Sequence, residues 1–495
     1  MPFSSKNYFI KSTLSVITLA FGVTALTSTS GSALDIKNRD IPQNEIFTDN
    51  NPSQKPGYRP NYRDKPDYQI KKKIPRKYAL LFKKLAKEDL QPITRELIDF
   101  LRENPEYLSY LDNSLRQAAR LNPDPVTNPA QSVVSYISYV DQASRLIPQE
   151  VLKNPSSIIR EQILQSICYF YFLIDQPIEN LKSKEIYKNT LQYDPAFSVW
   201  TRNFADAWGD FLNTSDSFTE ATYQQFLKDP NFRLATGDYE PRSNWNTFNR
   251  FFSRYLSDPS VRPIAEAASP DVVVAPADSV PQGVWAIDEF SNIVVEDASR
   301  GFRVKNTRYF NVNDLLGPEL AEFYGAFENG VLTHTFLNVF DYHRYHFPVG
   351  GEIIGKSKIQ QNVALEVSWD PLNGKYVPID STGWQFTQTR GVVVMQTENY
   401  GKVAVIPMGM AHVSSVNFED NVVPGAMVEK GDMLGTFLFG GSDYIMLFQK
   451  EAGFVIQAPE ASSSNSQFVS KSSIKSQPQY QHILMGERLG QMTGK

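Results

Sequence analysis

The stretch Phe439-Gly440-Gly441-Ser442-Asp443 lies late in the chain, between apolar runs at residues 434–439 and 444–448. A strand that is broken at its middle by Gly-Gly-Ser marks a place where the backbone approaches other groups closely or is strained. A second unusual cluster, Asp341-Tyr-His-Arg-Tyr-His-Phe-Pro348, stands upstream. Because a serine hydroxyl is a weak nucleophile until a base activates it, the two motifs together predict a serine that a histidine activates.

The sequence around these motifs has the pattern of a β-rich domain. From about Val272 onward, short apolar runs are punctuated by Gly, Pro and Asn, which is typical of strands and turns. Residues 392–397 and 402–406 flank Asn399-Tyr-Gly401 and predict a hairpin. Residues 461–478 are rich in Ser and Gln and predict a loop or tail.

The preceding part of the chain, from residue 76 to about residue 232, has helical periodicity. Apolar residues recur there at three- and four-residue steps with charges between them, and the clearest series is Leu80, Leu81, Leu85, Leu90, Ile93, Leu97 and Leu101. The sequence therefore predicts an α+β protein. We expect a helical N-terminal domain over residues 76–235 and a β-rich domain over residues 236–495 that carries the chemistry.

The N-terminus is predicted to be a cleaved export signal. Lys6 and Lys11 form a basic flank, residues 14–26 form a short apolar core, and Gly31-Ser-Ala33 is a suitable cleavage site. The apolar run is short for a membrane span, so an uncleaved anchor is the weaker alternative. Residues 1–33 are therefore expected to be a signal peptide, and the mature protein to be periplasmic or secreted.

Residues 34–75 are rich in Pro, Asn, Asp and Lys and are expected to form a disordered linker. The basic run Lys71-Lys-Lys-Ile-Pro-Arg-Lys77 can make peripheral contact with anionic lipid. A solvated helix start is the favoured interpretation of the same run.

Composition excludes several classes of protein. The chain has 495 residues, 41% hydrophobic residues and a net charge of -5, which is a globular composition without the basic excess that nucleic-acid binding requires. Its only cysteine, Cys168, excludes a disulfide framework and any cysteine-based metal cluster. With five histidines in the chain, no metal site is expected.

The C-terminal half resembles the pyruvoyl-dependent phosphatidylserine decarboxylase family. Four blocks carry the resemblance in order: Phe251-Phe-Ser-Arg254 with Arg262-Pro-Ile, Ala275-Pro-Ala-Asp278, Asp341 to Pro348, and Lys430-Gly-Asp-Met-Leu-Gly-Thr-Phe-Leu-Phe-Gly-Gly-Ser442. The helical half is similar to the domain attached to soluble relatives that decarboxylate aromatic amino acids.

The resemblance implies that the chain makes its own cofactor. Ser442 is expected to attack the carbonyl of Gly441, so that the chain is cleaved between the two residues and a covalent pyruvoyl group remains at position 442. No standard side chain can act as the electron sink that decarboxylation of an amine requires. The product would consist of two self-derived chains, and a homo-oligomer is a further option.

The resemblance also assigns roles to the polar residues of the motifs. His346 is expected to take the proton of Ser442, Asp278 to orient that histidine, and His343 to serve the decarboxylation step. Arg344 and His412 are weaker candidates for substrate binding, and for Arg344 a structural ion pair is the preferred interpretation.

The same residues also have purely structural interpretations. The two histidines can be satisfied core residues, Asp278 a turn residue, and Gly440-Gly441 an ordinary β-bulge. Asp443 departs from the threonine that is usual in the family, and a carboxylate there can retard cleavage or contact an amine.

Three classes of function remain open. The leading hypothesis is conversion of phosphatidylserine to phosphatidylethanolamine, and its close alternative is decarboxylation of a free, aromatic amino acid. A serine hydrolase is a different class, since Asp278, His346 and Ser442 occur in an order that a catalytic triad can use. An inactive binding protein is the third.

Overall fold

The computed structural model describes residues 74–184, 186–294, 311–380, 383–411, 415–461, 469–470 and 478–494. The predicted signal peptide and nearly all of the predicted linker lie outside these ranges, so both stay predictions. The described residues fall within one compact unit that spans Lys71–Lys495.

The first half of this unit is helical, as predicted. Its helices are α1 (Arg76–Leu85), α2 (Pro92–Glu103), α3 (Pro105–Leu121), α4 (Val133–Ala143), α5 (Ile158–Glu161), α6 (Ile163–Ile174), α7 (Pro195–Leu212), α8 (Glu220–Phe226) and α9 (Phe248–Phe252). Several begin at residues suited to a helix start. Pro92 and Pro105 occupy the first turn of α2 and α3, and Ser132 caps α4. Almost every residue of α6 is buried, so this helix lies at the centre of the helical layer.

The second half is built from strands and one further helix, α10 (Val312–Leu316). Its strands are β1 (Val272–Val274), β2 (Val280–Ala286), β3 (Val331–Leu337), β4 (Arg344–His346), β5 (Gly351–Ile359), β6 (Glu366–Asp370), β7 (Lys375–Asp380), β8 (Thr389–Gln396), β9 (Lys402–Met410), β10 (Asn417–Phe418), β11 (Met427–Val428), β12 (Met433–Thr436), β13 (Gly441–Phe448), β14 (Phe454–Ile456), β15 (Val469–Ser470) and β16 (Arg488–Met492). The prediction of an α+β protein is confirmed.

The main sheet has seven strands in the order β11-β5-β8-β9-β13-β3-β2. The predicted hairpin is present as the antiparallel pair β8 and β9, with Val394 opposite Ala404. Strand β13 is internal to this sheet and pairs with β9 on one side and β3 on the other. A smaller sheet contains β10, β12 and β4.

The expectation of one strand interrupted at its middle is wrong. Residues 433–436 form β12 in the smaller sheet, whereas residues 441–448 form β13 in the main sheet. The Gly-Gly-Ser motif therefore lies where the chain leaves one sheet and enters the interior of another. The change of sheet explains why flexible backbone is needed at this point.

The helical layer and the β-rich half share a hydrophobic core. Side chains such as Trp208 and Phe252 belong to the same buried cluster as Phe439 and Met410. None of the helices in the described part of the chain combines the length and apolar character that crossing a bilayer requires. The boundary that we placed between residues 235 and 236 stays a prediction.

Candidate active site

Ser442 is the second residue of β13 and is fully buried in the sheet. It pairs with Leu337 of β3 and with Gly409 of β9, and its side chain is 0% exposed. Its Oγ has no hydrogen-bond partner within the described residues. A buried hydroxyl normally has a partner, so this serine is an exception among buried hydroxyls.

The residue two positions before the serine has an unusual backbone conformation. Gly440 has a φ of 150°, in a region that residues with a side chain rarely adopt. The glycine lets the chain turn from the smaller sheet into β13 and brings the Gly441-Ser442 peptide into the interior.

An aromatic enclosure holds the chain just before these glycines. The ring of Phe439 makes edge-to-face contacts with Trp208 of α7 at 5.1 Å and with Phe248 and Phe252 of α9 at 5.0 and 5.3 Å. The backbone N–H of Phe439 donates to Oδ1 of Asn249 at 3.4 Å. The helical layer therefore contacts the predicted cleavage segment directly, which the sequence did not indicate.

His343 has a ring nitrogen that is available to act on a neighbour. Its Nδ1 lies 2.8 Å from the carbonyl oxygen of Asp341, and because a carbonyl can only accept, Nδ1 carries the proton. Burial lowers the pKa of His343 to about 3, so the ring is neutral at pH 7. Its Nε2 lone pair has no partner among the described residues, while the ring stacks on Phe252 at 3.8 Å.

His346 is equally buried, but both of its ring nitrogens are occupied. Nδ1 lies 2.8 Å from the carbonyl oxygen of Gly431, and Nε2 lies 3.3 Å from the Tyr342 hydroxyl. Burial lowers the pKa of His346 to about 4, so this ring is neutral at pH 7 as well. His346 and Ser442 are not hydrogen-bonded to each other in this structure, and the expectation that His346 takes the proton of Ser442 stays a prediction.

Asp278 is buried and bound by an arginine rather than by a histidine. Arg262 donates to its two carboxylate oxygens from Nε at 3.1 Å and from Nη2 at 2.8 Å, and the N–H of Met485 donates at 2.8 Å. The expected hydrogen bond from Asp278 to His346 is absent, so any influence on that ring is electrostatic. Arg262 stands in one of the quoted sequence blocks, but nothing in the sequence indicated its partner.

Arg344 and His412 are the two weaker candidates for substrate binding, and the structure describes only Arg344. Arg344 is buried, donates from Nε to the carbonyl of Ser253 at 2.9 Å, and lies 3.5 Å from Glu419 Oε1 with its guanidinium over the ring of Tyr255. This is the structural ion pair that was the preferred interpretation. His412 lies outside the described residues, and its role stays a prediction.

Orphaned polar atoms concentrate around Ser442. Beyond residue 260 in the described part of the chain, the buried side-chain atoms that lack a hydrogen bond include Asn338 Oδ1, His343 Nε2, Ser442 Oγ and Asp443 Oδ2. Asn338 follows Leu337, which pairs with Ser442. Such clustering indicates a site whose remaining partners are a substrate or reacting groups.

Two histidines that the motifs did not single out also contact this region. His482, from the segment after Ser442, lies 2.8 Å from Asp341 Oδ1 through its Nε2. His334 Nε2 lies 3.1 Å from Asp443 Oδ1 across β3 and β13. Both partners are distant in sequence, so only the fold brings them together.

The sequence of the β-rich half is similar to that of known proteins. The sequence model described as phosphatidylserine decarboxylase matches residues 248–491. Over this segment the chain is similar to the phosphatidylserine decarboxylase family. The match begins at α9 and ends in β16, so it includes the predicted catalytic residues and excludes most of the helical layer.

Individual relatives agree with this assignment. Phosphatidylserine decarboxylase proenzyme 2 of Oryza sativa subsp. japonica is 32% identical over 216 residues, which are 43% of this chain and 31% of the relative. The proenzyme of Chlamydia trachomatis serovar L2 is 32% identical over 213 residues, 43% of this chain and 62% of the relative. Proenzyme 3 of Schizosaccharomyces pombe is 29% identical over 259 residues, 51% of this chain and 22% of the relative. The chain thus spans less than two thirds of each of these phosphatidylserine decarboxylase relatives.

Proposed function

We propose that this chain is a self-processing, pyruvoyl-dependent decarboxylase that converts phosphatidylserine to phosphatidylethanolamine and carbon dioxide. The observation that carries the proposal is Ser442. In a chain that matches this family, its buried hydroxyl has no hydrogen-bond partner among the described residues and lies at the start of an internal strand, directly after two glycines. The relatives are named proenzymes, which supports self-processing here.

The first step uses only the chain's own atoms. Ser442 Oγ attacks the carbonyl carbon of Gly441, the peptide C–N bond breaks, and the freed nitrogen takes up a proton. Loss of the Ser442 α-proton then expels the Gly441 carboxylate and leaves dehydroalanine at position 442. Water releases ammonia from that residue, so that a keto group remains at the new N-terminus.

The residues present fit a pyruvoyl group at position 442. Ser442 is held by β-sheet pairing on both sides, and Gly409 opposite it leaves room for a reacting group. A pyruvoyl group supplies a ketone that withdraws electrons from the bond to the departing carboxylate. His343 supplies a neutral, buried Nε2 that can take up a proton and return it during the reaction.

The roles of the other polar residues form part of the proposal. His346 is proposed as the base for cleavage. Its Nε2 would release the Tyr342 hydroxyl and accept a hydrogen bond from Ser442 Oγ instead, since catalytic hydrogen bonds often tighten only in the reacting complex. Asp278 is proposed to stabilise the resulting imidazolium through its charge. The bidentate contact with Arg262 fixes the position of that carboxylate.

Mass spectrometry of the purified full chain tests cleavage, and an assay of carbon dioxide release tests the activity. We expect a small fragment of residues 442–495 whose N-terminus reacts with hydroxylamine, and an intact chain for Ser442→Ala. Carbon dioxide should be released from phosphatidylserine vesicles and not from free tryptophan. Release from tryptophan alone would establish the amino acid alternative, and an unbroken chain with a free Ser442 would favour a hydrolase or an inactive protein.

We also propose that the protein is exported and that residues 1–33 are removed. The support is the basic flank and short apolar run in the sequence. N-terminal sequencing of the larger fragment from the native host should begin at residue 34. A start at Met1 would contradict export by this signal.

A further inference from the structure

The end of helix α9 contacts the segment that carries His343. The ring of Phe252, the last residue of α9, stacks on the ring of His343 with 3.8 Å between the ring centres. The carbonyl oxygen of Ser253 accepts a hydrogen bond from Nε of Arg344 at 2.9 Å. Consecutive residues at the end of the helix therefore contact consecutive residues of the histidine segment.

Arg254, the next residue, extends this contact to the backbone in front of the histidine. Its Nη2 donates to the carbonyl oxygens of Phe340 at 2.9 Å and of Asp341 at 3.2 Å. The same carbonyl oxygen of Asp341 accepts the proton of His343 Nδ1 at 2.8 Å. A carbonyl oxygen has two lone pairs and can accept both hydrogen bonds. Arg254 and His343 are thus joined through one shared oxygen atom.

The surroundings of Arg254 are unusual for a charged side chain. The residue is 0% exposed, and the acceptors that it reaches in the described part of the chain are backbone carbonyls and the hydroxyl of Tyr239. None of them is a carboxylate, and the guanidinium lies over the ring of Tyr239 at 4.3 Å. Burial of a cation without an anionic partner is costly. Such an arginine is therefore a candidate for a role beyond stability.

The shared oxygen determines which nitrogen of His343 can exchange a proton. Because Nδ1 keeps its proton for the hydrogen bond to Asp341, Nε2 is the nitrogen that takes up a proton and returns it. Burial, and after it the positive charge of Arg254, lowers the pKa of His343 to about 3. A proton that Nε2 takes up is therefore readily given back.

We propose that Arg254 is a positioning residue for the decarboxylation step. Through the carbonyl oxygen of Asp341 it holds the ring of His343 in the tautomer and orientation that keep Nε2 available for proton transfer. It acts on the histidine and not on the reacting atoms. The proposal rests on the proposed function, because it adds a residue to the step that His343 serves there.

Self-cleavage should not require Arg254. Among the described residues, its hydrogen bonds and ring contacts include neither Ser442 nor His346. The proposal therefore predicts that the loss of Arg254 separates the two reactions, with cleavage retained and decarboxylation slowed.

The tautomer of His343 is the first measurement, made on the full-length, uncleaved Ser442→Ala chain. Heteronuclear NMR of isotope-labelled histidine shows which ring nitrogen carries the proton, and His343→Gln in the same chain assigns the signals among the five histidines. We expect the Nδ1-protonated form in this chain and a mixture of the two tautomers after addition of Arg254→Met, which removes the donor and the charge. An unchanged, single tautomer in the folded Arg254→Met chain would overturn the proposal.

The rate of decarboxylation is the second measurement, made on the self-cleaved chain with phosphatidylserine in mixed detergent micelles. Arg254→Met should lower kcat about tenfold to a hundredfold, which is the effect of a displacement of about 1 Å in a catalytic arrangement. KM should change by less than about threefold, because the lost contact acts on the reaction and not on binding. An unchanged kcat, or a folded variant that does not self-cleave, would overturn the proposal.

Arg254→Lys tests whether a cationic donor at this position is sufficient. Lysine keeps the charge and can donate to one of the two carbonyls, although it lacks the planar fork of arginine. We expect this variant to restore the Nδ1-protonated form of His343 and to lose less than about tenfold in kcat, a smaller displacement effect than that of methionine. It also keeps the test decisive if Arg254→Met does not fold. A folded Arg254→Lys chain as slow as Arg254→Met and with mixed tautomers would contradict a role for the hydrogen bond.

Arg390→Met is the matched control. Arg390 is also buried, at 1% exposure, and its guanidinium donates to the backbone carbonyls of Asp314, Leu315 and Gln388. None of these residues belongs to the histidine segment. Folded Arg390→Met should keep the tautomer and kcat of the parent. An equal loss of kcat in Arg390→Met and Arg254→Met would show a general effect of removing a buried arginine and would overturn the proposal.

The two measurements fail separately from the proposed function. The NMR measurement requires neither self-cleavage nor turnover, so it decides on the contact between Arg254 and His343 even if the parent releases no carbon dioxide. Absence of carbon dioxide release from the parent would refute the proposed function alone. If the parent acts on free tryptophan instead of phosphatidylserine, the same comparison of kcat is made with tryptophan.

Discussion

Asp443 Oδ1 lies 3.1 Å from His334 Nε2, so the residue after the predicted cleavage position is tied to the neighbouring strand β3. Successive side chains of a strand point to opposite faces. Asp443 therefore lies on the same face of β13 as Ile445 and Leu447. These two residues belong to a different core cluster from that of Tyr444, which lies on the same face as Ser442. The Asp443 carboxylate therefore points away from the side on which Ser442 lies.

We expect Asp443→Asn to weaken the fold and to leave cleavage nearly unchanged. Loss of this buried polar contact should lower the free energy of unfolding by about 1–3 kcal/mol. The cleavage rate, followed on denaturing gels, should stay within a few-fold of the parent because the carboxylate faces away from Ser442. A tenfold faster cleavage would show instead that Asp443 restrains the reaction.

Substitution can distinguish the roles of the two buried histidines, His343 and His346. We expect His346→Gln to remain uncleaved, and His343→Gln to be cleaved but to release carbon dioxide about 100- to 10,000-fold more slowly, the range typical of a lost acid–base group. Gel analysis measures the first effect and trapped carbon dioxide the second. Cleaved His346→Gln together with uncleaved His343→Gln would assign the base to His343, whose Nε2 has no hydrogen-bond partner in the described part of the chain.

Tyr342→Phe is the matched control for this pair. The substitution removes the hydroxyl 3.3 Å from His346 Nε2 and keeps the ring that packs on it. If His346 is the base, freeing its Nε2 should maintain or accelerate cleavage. A Tyr342→Phe chain that fails to cleave would show that the hydroxyl belongs to the catalytic arrangement.

Local patterns in the sequence predicted several elements of the fold. The periodicity around Leu97 and Leu101 predicted helices, and the Asn399-Tyr-Gly401 turn predicted the hairpin of β8 and β9. These features depend on residues that are close in sequence, so propensity and burial pattern report them directly. The resemblance supplied the order of the catalytic motifs.

Long-range partners could not be predicted in the same way. The contact between Phe439 and Trp208 and the ion pair between His482 and Asp341 join residues more than 100 positions apart. Nothing in either local sequence specifies such a partner, because the change of sheet before β13 determines which side chains meet. The same reason explains why Asp278 was expected at His346 but lies against Arg262.

Gly440→Ala should impair both folding and cleavage. The φ of 150° at this position is unfavourable for a residue with a Cβ, and such strain costs about 1–3 kcal/mol. We expect a corresponding loss in the free energy of unfolding and slower cleavage, measured by urea denaturation and a gel time course. Gly209→Ala is the control, since a Cβ there, within helix α7, meets nothing within 4 Å. It should be neutral or slightly stabilising.

Acid should destabilise the protein through its buried histidines. An unfolded histidine binds a proton below about pH 6.5, whereas folded His346, with a pKa of about 4, and His343, with a pKa of about 3, do not. The unfolded state therefore binds more protons between these values, and stability falls as the pH falls below about 6.5. Each histidine contributes a slope of roughly 1.4 kcal/mol per pH unit.

The measurement is the urea unfolding free energy at pH 6 and at pH 5 for Ser442→Ala and for the Ser442→Ala, His346→Gln double variant, both of which are expected to stay uncleaved. The slope should be smaller in the double variant by roughly 1.4 kcal/mol per pH unit, and the difference between the two proteins cancels the contributions of carboxylates. The raised pKa of His482, which its hydrogen bond to Asp341 causes despite burial, has the opposite effect on the pH dependence of stability. Its stabilisation is complete below the ordinary pKa and is lost only as the pH rises through the raised one. Equal slopes in the two proteins would contradict a buried, neutral His346.

The aromatic enclosure predicts that cleavage depends on the helical layer. Phe439 is buried against Trp208, Phe248 and Phe252, and it precedes the predicted cleavage position, the Gly441-Ser442 peptide, by only two residues. Phe439→Ala should lower the free energy of unfolding by about 3–5 kcal/mol through the cavity it leaves.

The same change should slow cleavage by roughly tenfold to a hundredfold, because small displacements of reacting groups have effects of this size. Phe439→Leu should lie between the parent and alanine in both measurements. Phe290→Ala removes a ring that is 68% exposed and should change neither. The rates are compared on denaturing gels at a temperature at which circular dichroism shows every variant to be folded. Folded Phe439→Ala that cleaves at the parent rate would show that the helical layer only stabilises the protein and does not position the peptide for attack.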